Sequence, residues 1–327
     1  MMKYFCYFSL ISVLFGCIET QSSKGYKEES KKTYAIPKTD IKVDSNTVFS
    51  AFGNPLPPKE FAGNERKDKL EAAILNFKRD PEDLNNIIWM GRWMGYNGLY
   101  YEAIKAFSSG LEKYPTSHKL LRHRGEYYII IRQFDLAVED LQRAAFYSRP
   151  AINETEKNGL SSRYERPISN YKFNIYFFLG AAHYLNGSYD KAISSFKKCL
   201  AYCDNDDLLV RASDWFYLTY RKLGNEKAAE ELLVPITKKL KVKENVDYLN
   251  RIMVYKGVYN EEKVLAYAKN KDKSLTPILA YGIANSYILK GNVERASQIY
   301  ELMLLNKSWE TLEYIAAEVE LKSLQRL

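Results

Sequence analysis

Histidine is scarce in this chain of 327 residues, with only His118, His123 and His183 present. His118 and His123 lie five apart, not at the four-residue spacing that sets two metal ligands on one helix face. No Gly-x-x-x-x-Gly-Lys-Ser loop is available to cradle phosphates, and no serine sits in a Gly-x-Ser-x-Gly elbow. Gly95 and Gly98 flank a helix end instead of following a strand. The acidic pairs Asp206-Asp207 and Glu261-Glu262 read as solvated helix starts, where carboxylates meet the positive end of the dipole. These absences point away from an enzyme and call for no cofactor and no metal.

Cysteine is equally sparse. Of four, Cys6 and Cys17 lie near the start, while Cys199 and Cys203 fall four apart in one predicted helix. A disulfide at that spacing strains helical geometry, and a metal pair would want ligands the neighbourhood lacks. Cys199 therefore reads as a small packing residue and Cys203 as its neighbour. No apolar run is long enough to span a bilayer as a helix. Residues 1–16 are apolar but short, with Lys3 giving a positive start, which reads as an export signal. It ends Leu14-Phe15-Gly16-Cys17, which resembles the bacterial lipobox. That resemblance implies cleavage before Cys17, lipidation of Cys17 and attachment to a membrane through acyl chains. Ile18 after the cysteine leans toward the outer membrane, on its periplasmic face.

The formal charge is +8, yet there is no dense basic run and no RNA-binding signature, so nucleic acid is not an expected partner. The basic balance better suits anionic lipid head groups or cell-wall polymers. Hydrophobic content of 46% and aromatic content of 14%, with 27 Tyr, give a largely globular chain. Residues 17–65 are the exception. They are rich in Lys, Ser, Glu, Thr and Pro and read as a tether. Docking of the mildly apolar run 47–52 is the less favoured reading.

The ordered part repeats. Gly91, Met94, Gly98, Ala103, Phe107, Gly110 and Pro115 are followed, thirty-four residues on, by Gly125, Tyr128, Arg132, Ala137, Leu141 and Ala144. Bulky residues at one-stripe spacing make a first helix, a small residue lets its partner cross closely, and a turn glycine ends it. Arg124 at a bulky place and Arg132 at the turn glycine depart from the pattern. These residues resemble the tetratricopeptide repeat (TPR) family, whose period is thirty-four. The expected fold is all-α: a right-handed superhelical solenoid of helical hairpins with a C-terminal capping helix. The solenoid should occupy 66–327, with units near 84–117, 118–151, 173–206, 210–243, 244–276 and 277–310. The fifth is degenerate. Residues 152–172 are an insertion, either an idle loop or part of a binding face. A helix near 66–79 should cover the start of the stack, burying Leu70, Ala73, Ile74 and Phe77. The closing helix should bury Trp309, Leu312, Ile315, Ala316 and Val319, with Glu310, Glu313, Glu318, Glu320 and Lys322 in water.

In TPR stacks the inner groove is lined mainly by first helices. Mapped here, those places give Arg92 and Tyr96, then Lys119 and Arg122, then Asn174, Phe177 and Tyr184, then Arg211 and Arg221. Guanidinium groups beside aromatic faces suit an extended or helical peptide of some acidic character. A TPR sub-family clamps a terminal carboxylate with Lys and Asn, but those places hold Ile88 and Arg92 here. That activity does not carry over. The resemblances together imply a lipid-anchored scaffold that binds an envelope protein or peptide. The alternative is a lipoprotein that captures glycans, with the many Tyr and four Trp as stacking platforms.

Overall fold

The computed structural model describes residues 43–60, 63–157, 159, 168–269 and 275–325. The export signal, Cys17 and most of the expected tether lie outside the described residues. Among the described residues there are fourteen α-helices and no strand beyond isolated bridges. No helix among them is long and apolar enough to cross a membrane.

The first helix, α1 (Glu65–Arg79), is unpaired in sequence and packs on α2. Ala73 is buried there against Met90 and Trp93, with Leu70, Ile74 and Phe77 partly covered. Consecutive helices then pack in pairs: α2 (Leu84–Tyr96) with α3 (Tyr100–Lys113), α4 (His118–Ile130) with α5 (Phe134–Tyr147), and α6 (Tyr171–Leu185) with α7 (Tyr189–Leu200). So do α8 (Asp206–Lys222) with α9 (Glu226–Leu233) and α12 (Pro277–Leu289) with α13 (Val293–Met303), whereas α10 (Val246–Tyr255) and α11 (Glu261–Ala268), in the degenerate fifth unit, each pack on α12 instead of on one another. Each pair packs on the next, with α10 bridging α8 to α12, so the chain is an all-α helical-repeat protein.

The first three pairs share one contact. A Cβ added to Gly91 would lie 2.5 Å from the Phe107 ring; at Gly125 it would lie 2.7 Å from Leu141, and at Gly180 2.7 Å from Phe196. Only glycine leaves room for the large residue of the crossing helix. Cys199 is fully buried in α7, and Cys203 Sγ–H donates to the Cys199 carbonyl at 3.7 Å.

The fourth pair begins at Asp206, earlier than the repeat pattern places it. The acidic start is not solvated as the sequence suggests. Asp207 is buried, and its carboxylate accepts from the backbone N–H of Lys243, Glu244 and Asn245, while its carbonyl accepts from the Asn245 amide. It ties down the connection that follows the short α9, where Pro235 precludes further helix.

Two corrections concern the ends of the described chain. Helix α14 (Leu312–Leu324) does not sit with one face in water. Glu313, Glu318 and Glu320 are buried, because α14 packs against the first helices α4, α6 and α12 and against α13. Polar partners reach it from several inner helices. Glu313 Oε1 accepts from Tyr248 Oη at 2.5 Å, and Arg251 Nη1 lies 3.5 Å away. Glu320 accepts from Tyr184 Oη at 3.0 Å and from Lys222 Nζ at 2.6 Å. Trp309, Ile315 and Ala316 are buried as the pattern requires.

The second correction is the segment 47–59, which belongs to the expected tether yet docks. Val48 and Leu56 are buried, and Leu56 N–H donates to the Val48 carbonyl at 2.8 Å. Ala51 N–H donates to Glu318 at 3.3 Å, Lys322 Nζ donates to the Ala51 carbonyl at 2.6 Å, and Trp309 Nε1 donates to the Pro57 carbonyl at 2.8 Å. Composition favours disorder here, but two apolar side chains and three hydrogen bonds to the α14 region offset the ordering cost.

Candidate functional site

Helix α14 covers part of the surface formed by the first helices α4, α6 and α12, and a cavity of about 900 Å³ lies beside α2, α4, α6 and α8. Arg92 on α2 stands at its wall. Its guanidinium lies 4.4 Å from the centre of the Trp89 ring, and Nη2 donates to Tyr96 Oη at 2.8 Å. These side chains meet because residues three and four apart on a helix share a face.

Arg122 on α4 is buried and forms an ion pair with Glu126, one turn on. Its Nη2 lies 3.2 Å from Glu156 Oε1. Glu156 comes from the insertion and accepts from Asn174 Nδ2 at 2.9 Å. The insertion is held against α6 at this point: Glu156 N–H donates to the Ser169 carbonyl, and Tyr171 N–H to that of Glu154, each at 2.9 Å. Arg122 Nη1 also donates to His123 Nδ1 at 2.7 Å, which leaves the ring proton on Nε2. Burial, reinforced by Arg122 and Arg92, holds His123 well below the ordinary histidine range, so it is neutral at pH 7. The same carboxylates keep Arg122 firmly charged despite its burial.

Arg211 on α8 is placed differently. Its guanidinium lies over Phe177 at 4.1 Å and near Phe178 at 5.7 Å, while Arg122 approaches Phe178 at 4.9 Å. Phe178 thus carries a guanidinium from each of two inner helices. Such stacking leaves the planar donors available, a property arginine has and lysine lacks.

The structure brings together Arg92, Tyr96, Arg122, Asn174 and Arg211 of the residues expected in the groove. Others fall elsewhere. Lys119 binds Glu154 at 2.8 Å and covers the Tyr171 ring. Phe177 is fully buried beneath Arg211. Tyr184 lies in the core, its hydroxyl 3.1 Å from that of Tyr281 and bonded to Glu320, so α14 already occupies its part of the groove. Arg221 pairs with Glu226 at 2.9 Å, away from the cavity. Cys17 lies outside the described residues.

Sequence mapping did not find Glu156, Trp89 or Phe178. Glu156 had one signal, its place in an insertion that breaks the repeat. Trp89 and Phe178 lie next to mapped places, and nothing in a repeat pattern marks them. Among the described residues no group of three His, Cys, Asp or Glu could hold a metal ion.

The family model of the tetratricopeptide repeat matches residues 173–206, which include α6 and α7. No curated protein matches the chain. Among solved structures the chain is similar to "MamA AMB-1 P212121", with 19% identity, a TM-score of 0.40, and cover of 59% of this chain and 92% of that one. It is similar also to "Crystal structure of MamA", with 18% identity, a TM-score of 0.41, and cover of 62% and 99%.

Proposed function

We propose that this protein is a non-catalytic, lipid-anchored scaffold of the bacterial cell envelope, and that it receives a segment of a partner protein in the open cavity of its concave face. The observation that carries this reading is α14. One stretch of the inner surface already holds a helix, meeting its glutamates with Tyr184, Lys222, Tyr248 and Arg251. The neighbouring stretch offers the same chemistry, Arg92, Arg122 and Arg211 among aromatic rings, around an open cavity. The helical-repeat fold, and the TPR match in its third hairpin, support a role in protein interaction. The lipobox-like Leu14-Phe15-Gly16-Cys17 supports attachment through Cys17, and Ile18 favours the outer membrane, facing the periplasm.

Glycan capture is the second reading. It is favoured by the nearness of Trp89 and Tyr96 to Glu126, Glu156 and Asn174, since sugars are held by aromatic faces and planar polar groups.

The test is cross-linking in intact cells followed by mass spectrometry, with Cys17→Ala and Arg92→Ala/Arg211→Ala controls. Partners lost in both controls support the anchored scaffold. Retention on envelope polysaccharide without any enriched protein supports glycan capture instead.

A further inference from the structure

We infer that the cavity takes a carboxylate side chain of its partner, seated between Arg122 and Arg211; this rests on the peptide-binding reading above. Three observations lead there. The first is charge. Among the described residues Arg66, Lys69, Arg92, Arg122, Lys157 and Arg211 line the cavity against Glu65, Glu126, Glu156, Glu244 and Glu310, six cations to five carboxylates. One anion completes the balance.

The second is hydrogen bonding. Arg122 is only 5% exposed, and its Nε has no acceptor among the described residues. The same holds for Arg211 Nε. Arg211 also has no carboxylate in ion-pair range among the described residues, and phenyl faces take the place of one. A buried donor without an acceptor costs about 1–3 kcal/mol, more when charged, so a ligand that supplies acceptors is favoured over one that supplies donors.

The third is precedent within the molecule. The glutamates of α14 are met by an arginine or a lysine from the repeat helices and their turns, as Glu320 is by Lys222 and Glu318 by Arg132. The same surface in the open cavity has cations in place and no glutamate of α14 to meet them. Arg211, with Glu310 and Glu313, also lines the smaller cavity of about 300 Å³ beside the start of α14, so the two stretches of groove are continuous.

The full chain in detergent is titrated with N-acetylglutamate amide, with N-acetylglutamine amide and sodium glucuronate as comparators, and the arginine Nε–H resonances are followed by NMR. The expected result is a saturable shift of the Arg122 and Arg211 resonances with the glutamate probe alone. Arg211→Gln should abolish the shift, and Arg211→Lys should weaken binding roughly tenfold, the loss of one charge-assisted hydrogen bond. Equal response to the glutamine probe, or saturable binding by Arg211→Gln, overturns the inference. Preference for glucuronate overturns the peptide source. Cross-linking in cells separates the two levels: a captured partner whose yield is unmoved by Arg211→Gln sinks the carboxylate seat and leaves the scaffold. Binding of the glutamate probe with no captured protein does the reverse.

Discussion

Arg132 Nε lies 3.0 Å from Glu318 Oε2, and this pair joins the turn between α4 and α5 to the helix in the groove. Arg132 stands where the repeat pattern wants glycine, and its φ is +62°. A side chain in that left-handed region costs about 1–2 kcal/mol. The guanidinium offsets this cost. It donates to the Trp309 carbonyl at 3.0 Å and to the Ile130 carbonyl, and it lies 5.6 Å from the centre of the Trp309 ring.

Replacing Arg132 therefore tests two opposed effects. Arg132→Ala should cost about 3–5 kcal/mol, the usual loss when one partner of a buried ion pair is removed. Arg132→Gly should cost about 1 kcal/mol less, because the turn relaxes. Adding Glu318→Gln to either should recover part of the loss. Urea denaturation measures all three, and equal stability of the Ala and Gly variants would remove the strain argument.

The three glycine contacts make a second prediction. Gly91→Ala, Gly125→Ala and Gly180→Ala should each destabilise by about 1–3 kcal/mol, since the new methyl meets Phe107, Leu141 or Phe196. Phe107→Leu should partly rescue Gly91→Ala and should not rescue Gly180→Ala. Thermal melts of the single and double variants show whether the rescue is specific.

Removal of the groove helix makes a third. A chain ending at Glu310 uncovers apolar surface and leaves Arg251 without Glu313 and Arg132 without Glu318. It should be markedly less stable, and it should bind a labelled peptide of residues 308–325 that the full chain ignores. Fluorescence anisotropy gives the answer. Equal peptide binding by both chains would mean that α14 is not the groove's occupant.

Asp214 makes a fourth, in pH. It is fully buried with Arg251 Nη2 2.6 Å away, and burial pushes its carboxyl up to about 7. A carboxyl with a raised folded pKa contributes stability that is complete below its unfolded pKa and is lost as pH rises through the folded value. Stability should therefore increase as pH falls from 8 to 6.5, and the slope should vanish in Asp214→Asn. Below 6.5 the sign reverses for the histidines. Burial lowers His118, His123 and His183, so acid charges them in the unfolded chain first and favours unfolding. Melts of wild type and variant at closely spaced pH values resolve the two regimes.

The hairpins were readable because each carries a local rule. Gly91 with Phe107, Gly125 with Leu141 and Gly180 with Phe196 all lie sixteen residues apart, and that spacing is fixed by one helix, one turn and a crossing. The groove was readable only in part. Arg92, Arg122 and Arg211 were found because a repeat assigns them a face, but Tyr184 sits on the same face and is covered. Covering depends on where a distant helix lands. A helical wheel for α14 sorts Glu313, Glu318 and Glu320 toward water, since it assumes solvent on one side. Their partners Arg251, Arg132 and Lys222 lie 62, 186 and 98 residues away, beyond any local pattern. Glu156 is a lone acid in an irregular stretch, and its pairing with Arg122 likewise has no periodicity to announce it.

The docking of segment 47–59 onto the α14 region changes how the molecule should come apart. In an open array each unit touches only its neighbours, so either end can fray while the middle stands. Here hydrogen bonds spanning 252, 267 and 271 residues of sequence close the array on itself. Neither end is then free to peel away alone. Unfolding should take the form of a single cooperative transition instead of a progressive shortening. Closure should be the slow event on the way back, because joining segments so far apart in the chain forfeits entropy before any contact returns it.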